Sequence, residues 1–308
     1  MEKSFGGVIR GFALGLFLLL PAWPAKALFR VGMEQTFGSL HFRETKVSAE
    51  AGEDIRLAPT FNSYRSDDSS GTYRTMSLGL NYRRDEWKWS AVGGLTPQTD
   101  KYSNKFFGGS LGWSVPGPPP KRVGDDEDEE FSRSGVEAGF LRIVHTDQTH
   151  STTGSREGPF AESNPATDVV QTDVVGAMSV ALPGFSSHLK AVVSGYGGGL
   201  GHISQTEARR IVPRGQDFLL RGFPSDTYVA GLELTSLAWG DPYVTLTREE
   251  FALNFPDDTS VEFGFETKVK GWSLDLSYEP DFRGGGESSR HYVTFGLARR
   301  FGGAASRR

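Results

Sequence analysis

The chain has 308 residues and no cysteine, which excludes disulfides, thiolate metal sites and lipidation at a processed N-terminus. Its 33 Lys and Arg against 38 Asp and Glu leave a formal net charge of −5, which argues against non-specific nucleic-acid binding. Mean hydropathy is −0.37, and no stretch after residue 27 approaches the roughly 20 apolar residues of a membrane helix.

The first predicted element is an export signal. Lys3 and Arg10 supply a basic start, Gly11 to Leu20 an apolar core, and Ala25-Lys26-Ala27 a small-residue cleavage site. The apolar core is too short to span a bilayer. The mature chain is therefore expected to begin near Leu28, leaving 1–27 as signal peptide and 28–308 as the folded unit.

Period-two alternation follows. From Tyr73 to Arg83, Met76, Leu78, Leu80 and Tyr82 share one face, opposite Thr75, Ser77, Gly79, Asn81 and Arg83. After Arg84-Asp85-Glu86, Trp87, Trp89, Ala91, Gly93 and Leu95 alternate with Lys88, Ser90, Val92, Gly94 and Thr96. Further on, Val261, Phe263, Phe265 and Val269 oppose Glu262, Gly264, Glu266 and Lys268. Past the Lys270-Gly271 turn, Trp272, Leu274, Leu276 and Tyr278 oppose Ser273, Asp275, Ser277 and Glu279. Such a pattern places one face in an apolar medium and the other in a polar one.

Strands are predicted over 29–38, 41–49, 54–65, 73–83, 87–96, 105–115, 135–146, 167–182, 187–197, 226–239, 242–253, 260–269, 272–280 and 290–301. A soluble sandwich alternates too, but with shorter strands and a Val/Ile/Leu-packed face. Here isoleucine is scarce and strands are long enough to cross a bilayer when tilted. Aromatics fall at strand ends (Trp87, Trp89, Trp113, Trp239, Tyr243, Trp272, Phe301), where interfacial girdles sit. The expected fold is all-β: a single antiparallel transmembrane β-barrel of 14 strands, with 12 as the fallback and 16 possible. Its expected place is the outer membrane of a Gram-negative bacterium, with short periplasmic turns and longer extracellular loops. The link 116–134 breaks that rule; Pro116-Gly117-Pro118-Pro119-Pro120 and the acidic run 125–130 predict disorder. Residues 302–308 are read as a tail.

Chemical motifs are sparse. His145, Asp147 and His150 form the best local constellation, at the rim of a predicted loop, and read better as a polar loop tip than as a catalytic group. The acidic run lacks the spaced ligands of a calcium loop. No enzyme activity, cofactor or metal is expected. If the register holds, Lys88, Asp173, Lys190, Glu233, Glu262, Glu266, Lys268, Asp275, Glu279 and Arg300 line the lumen. Mixed charge around a water-filled interior suits passive diffusion of small polar solutes, and the acidic excess predicts cation preference.

Three resemblances complete the reading. Val293, Phe295, Leu297 and Phe301 share a face and resemble the terminal insertion signal of Gram-negative outer-membrane proteins. That implies outer-membrane lipid and the barrel-assembly machinery as partners. Leu220-Arg221-Gly222-Phe223-Pro224 resembles the Arg-Gly-Phe/Tyr loop motif of the outer-membrane insertase and two-partner-secretion transporter superfamily. The resemblance implies that Arg221 meets an acidic residue on a later strand, such as Glu250, Glu249 or Glu233. His202-Ile203-Ser204 faintly resembles the His-x-Ser element of barrel deacylases and phospholipases, without matching flanks. A non-conducting barrel with ligand-binding loops is the alternative function, and a small insertase or transporter relative the third.

Overall fold

Antiparallel pairing runs from strand to strand along the whole described chain and then returns to its start. The computed structural model describes residues 28–301 apart from 53, 68–70, 85, 100–101, 117–134, 154–162, 204–210, 213–219, 236, 238 and 254. The predicted signal peptide, nearly all of the Pro-rich acidic link and the tail lie outside the described residues.

The strands are β1 (Leu28–Gly38), β2 (Phe42–Gly52), β3 (Ile55–Arg65), β4 (Tyr73–Arg84), β5 (Trp87–Thr99), β6 (Tyr102–Pro116), β7 (Gly135–Thr153), β8 (Ser163–Leu182) and β9 (Phe185–Gly198). A 3-10 turn (Leu200–His202) and a two-residue ribbon, β10 (Ile211–Val212) with β11 (Leu220–Arg221), belong to the next connection. The remainder are β12 (Pro224–Leu234), β13 (Asp241–Phe251), β14 (Asp258–Val269), β15 (Trp272–Arg283) and β16 (Arg290–Phe301). β1–β9 and β12–β16 form one closed barrel of 14 strands, sealed by β16 on β1 from Phe29 opposite Phe301 to Gly38 opposite Tyr292. Closure satisfies every ladder edge internally, as lipid requires.

The alternation fixes which face points out. Leu78, Leu80, Trp87, Trp89, Leu95, Phe107, Leu141, Ile143, Leu189, Leu246, Phe263, Leu276 and Phe295 are large, apolar and exposed. A belt of this kind around a closed barrel is a membrane-facing surface. At the end holding both barrel termini, the near end, Trp87, Trp89, Trp113, Trp272 and Phe301 ring the outside. Arg299 also points outward there, its guanidinium lying 4.9 Å from the Trp272 ring centroid and 4.8 Å from that of Phe301. Cation–π contact and an aliphatic stem explain how an arginine is accommodated in that girdle.

Two expectations need correction. Tyr243 is not in the girdle; it points inward and bonds to carboxylates. The strand expected over 226–239 stops at Leu234, so the connection to β13 is longer than the predicted two-residue turn. The strand expected over 41–49 is present although its alternation is weak, and β2 pairs along most of its length with both β1 and β3. Alternation is a property of one strand, whereas β2 is held by two ladders.

The barrel interior as the candidate functional site

Because register and pleat alternate strictly, residues on the inward face can be followed from strand to strand. Lys88 pairs with inward Arg83, and Glu233 with Tyr243. Asp173 pairs with Val144 and Ser194, and Lys190 with Val229. Glu266 lies opposite Asp275, Lys268 opposite Ser273, and Arg300 opposite Arg30. Glu262 and Glu279 share this parity with Glu266 and Asp275. All ten predicted lining residues thus sit on the face opposite the apolar belt.

The same parity adds charges the sequence reading passed over: Glu34, Glu44, Lys46, Glu50, Arg56, Arg142, Glu249, Asp281, Arg283 and Arg290. Extending the alternation through β1–β3 would have found Glu34, Lys46 and Arg56.

The lining has two unlike walls. From β12 through β16 to β2 it is carboxylate-rich. The Tyr243 hydroxyl lies 3.3 Å from Glu262 Oε1 and 3.2 Å from Asp275 Oδ1, so one proton is shared between two acceptors. Lys46 Nζ reaches Glu34 at 2.9 Å, and the Glu34 side chain is 47% exposed inside the barrel. Nearer the far end, Arg283 is 3% exposed, with Nε donating to Asp281 at 3.1 Å and Nη1 3.5 Å from Glu287.

The opposite wall, β4 to β9, carries Arg83, Lys88, Arg142 and Lys190 with the single acid Asp173 among its named inward charges, and toward the far end its neutral side chains are tightly bonded. Thr75 and Thr96 hydroxyls meet at 2.8 Å, and the Thr96 N–H donates to Asn104 Oδ1 at 3.0 Å. The Gln148 amide donates to Gln171 Oε1 at 2.7 Å, and Gln171 donates onward to Asp173 at 2.8 Å. Ser194 also donates to Asp173, at 2.7 Å. Gln148 and Gln171 are buried, which demands that such amides find partners.

At the far end an aromatic arc spans the interior. Tyr292 meets Phe42 edge-on at 5.4 Å, Phe42 meets Tyr64 at 6.3 Å, and Tyr64 stacks on Tyr73 at 5.2 Å. Tyr73 meets Tyr102 at 5.8 Å, and Tyr102 meets His150 at 5.1 Å. His150 faces Phe223 at 5.7 Å, and Phe223 meets Tyr196 at 5.6 Å. Phe223 belongs to the connection between β9 and β12 and itself points inward. It is fully buried beside Val169 and Ile203. Its carbonyl accepts the Ala252 N–H at 2.8 Å, and the Tyr196 hydroxyl donates to the Pro224 carbonyl at 2.6 Å. Gly222 turns the chain at φ +70°, where a Cβ would strike the Phe251 ring.

The local His constellation splits: His145 Nε2 stays 3.4 Å from Asp147 Oδ1, whereas His150 turns to the other face. β7 runs on to Thr153, so His145 and Asp147 face outward while His150 faces the lumen. His145 bonds to Thr172 at 3.1 Å and His150 to Gln148 at 3.1 Å. A loop tip was expected here, but the strand simply continues beyond the apolar belt. His202 ends the 3-10 turn and Ser204 lies outside the described residues. For the loop motif, the Arg221 backbone pairs with Ile211, and its expected side-chain partner falls outside what is described. Among the three acids proposed for it, Glu250 faces outward and Glu233 lies at the near end. Glu249 faces inward at the far end, opposite Thr227 and Asp258. Val293, Phe295, Leu297 and Phe301 occupy the outward face of the closing strand β16.

No family model matches the chain, and neither does any curated protein. Solved structures with a similar course include CdiB from Acinetobacter baumannii (8% identity, 90% of this chain and 60% of that one, TM-score 0.46). Others are the CymD monoaromatic hydrocarbon channel (12%, 95% and 92%, 0.44) and a loop-deletion mutant of OmpT, an outer membrane protein of Vibrio cholerae (10%, 89% and 98%, 0.44). The chain spans about three-fifths of the length of CdiB. The barrel assignment stands on the closed ladder and the outward belt described above.

Proposed function

We propose that this barrel is an outer-membrane channel for passive diffusion of small polar solutes, with a preference for cations, narrowed at its far mouth by Phe223 and the aromatic arc. The observation that carries the reading is the carboxylate wall, Glu34, Glu262, Glu266, Asp275 and Glu279, on the inward face of a closed membrane-facing barrel. Carboxylates lining a wet passage raise local cation concentration and repel anions. The near end faces the periplasm in this reading, because it holds both barrel termini and the turns 53–54, 85–86, 183–184 and 270–271. The far end carries the long connection 199–223 and faces out.

The test is conductance of the refolded mature chain in planar bilayers under a salt gradient. A reversal potential of the cation-selective sign is expected; anion selectivity overturns the reading. A second reading, a barrel closed at its mouth that acts through its outer loops, is favoured by the complete burial of His150, Val169 and Phe223. Absence of conductance in both wild type and Phe223→Ala would select it.

A further inference from the structure

The outer rim carries a charge arrangement that the lumen does not use. Arg43 on β2 and Arg65 on β3 are exposed, outward-facing and directly opposite each other in the ladder. Like charges in that relation repel at a Cβ separation of about 5 Å. Neither forms a hydrogen bond or ion pair among the described residues. Asp67, two residues beyond Arg65, is held by His41 Nδ1 at 2.7 Å. By contrast, outward Arg248 across the barrel is bonded to Asp257 at 2.8 Å and lies 3.4 Å from Glu250. Outward Lys105 faces Asp147 in register.

A third arginine joins this pair. Arg74 on β4 faces outward opposite Ser63, one inward–outward step lower in the ladder than Arg65. Strand tilt compensates for the step. The lateral row Met33, Val47, Phe61, Met76, Leu95, Lys105 starts mid-belt on β1 and leaves the belt by β6, so it climbs toward the far end. With strands about 4.8 Å apart and tilted about 40°, each strand adds about 3 Å of height, against about 5 Å lost per two-residue step. Arg43, Arg65 and Arg74 therefore share one level to within a few ångström. Exposed Phe37 lies opposite Arg43, and exposed Met76 lies two residues below Arg74. The three cations sit where the apolar belt ends.

We propose that Arg43, Arg65 and Arg74 bind the phosphate of an anionic outer-leaflet lipid whose acyl chains lie on the belt beneath. Guanidinium forks match phosphate oxygens in pairs, and an anion between Arg43 and Arg65 turns their repulsion into a shared contact. Basic clusters at a membrane surface hold anionic headgroups in the same way. This rests on the reading that the barrel spans the outer membrane with its far end outward.

The test uses the mature chain refolded in neutral detergent and titrated by native mass spectrometry. The probes are bis-phosphorylated lipid A, the same lipid dephosphorylated, and inorganic phosphate. Wild type should retain the phosphorylated lipid at about tenfold lower concentration than the dephosphorylated one, a factor of the size that one or two headgroup contacts supply. Arg43→Gln/Arg65→Gln should lose that preference while keeping the folded barrel's gel mobility and its conductance. Equal retention of both lipids by wild type overturns the proposal without reference to any variant. So does unchanged preference in the folded double variant, or displacement of the lipid by millimolar inorganic phosphate. A wild-type barrel that shows the preference but fails to conduct overturns the channel reading alone.

Discussion

Tyr292 on β16 reaches over β1 to meet Phe42 on β2, ring centroids 5.4 Å apart and nearly perpendicular. It can do so because Gly38 on β1 has no side chain; a Cβ there would lie 2.3 Å from the Tyr292 ring. The contact ties β16 to β2 across the strand between them, at the seam where the chain's two ends meet.

Gly38→Ala is therefore expected to destabilise the folded barrel by about 1–3 kcal/mol, the range for overpacking a closed contact. Urea unfolding of the barrel refolded into liposomes reads this directly. Gly38→Ala combined with Tyr292→Ala should recover part of the loss, because the clashing ring is gone.

Phe223→Ala removes the side chain that joins His150 to Tyr196 at the far mouth. Single-channel conductance is expected to rise, with the cation preference retained, since the carboxylate wall lies on other strands. Unchanged conductance would place the narrowest point elsewhere.

Glu262→Gln with Asp275→Asn removes two charges that share the Tyr243 hydroxyl. The reversal potential in a salt gradient should move toward zero, and the stability of the barrel should change little, because the amides still accept from Tyr243.

Glu249 is the inward-facing acid at the far end among the three partners implied for Arg221. A double-mutant cycle with Arg221→Ala and Glu249→Gln should show a coupling of about 0.5–3 kcal/mol. The same cycle with outward-facing Glu250→Gln should be additive. Additivity at both positions would remove the loop-motif reading.

The absence of cysteine makes orientation measurable. Leu40→Cys, in the far-end turn between β1 and β2, should react with an impermeant maleimide on intact cells. Lys270→Cys, in the near-end turn between β14 and β15, should react only after the cells are opened.

Fourteen strands were legible in the sequence because a lipid-facing barrel imposes the same two-residue period on every strand, with solvent type switching at each residue. The inward parity of the ten residues proposed to line the lumen followed from that period alone, since parity carries through Lys88, Glu262 or Arg300 without knowledge of any neighbour. What parity cannot give is which inward residues meet. The shared proton of Tyr243, the Gln148–Gln171–Asp173 chain, and the arc from Tyr292 to Tyr196 join residues far apart in sequence; only closure and register bring them together. Likewise, Arg43 and Arg65 read singly are two exposed arginines. The β2–β3 ladder makes them opposite neighbours, because pairing depends on the partner strand as well as on a strand's own alternation. Sequence determined the medium each face meets, through local chemistry repeated every second residue. Tertiary structure decided the contacts, the aromatic arc and the charge clusters, because these depend on how the tilted strands line up around the closed ring.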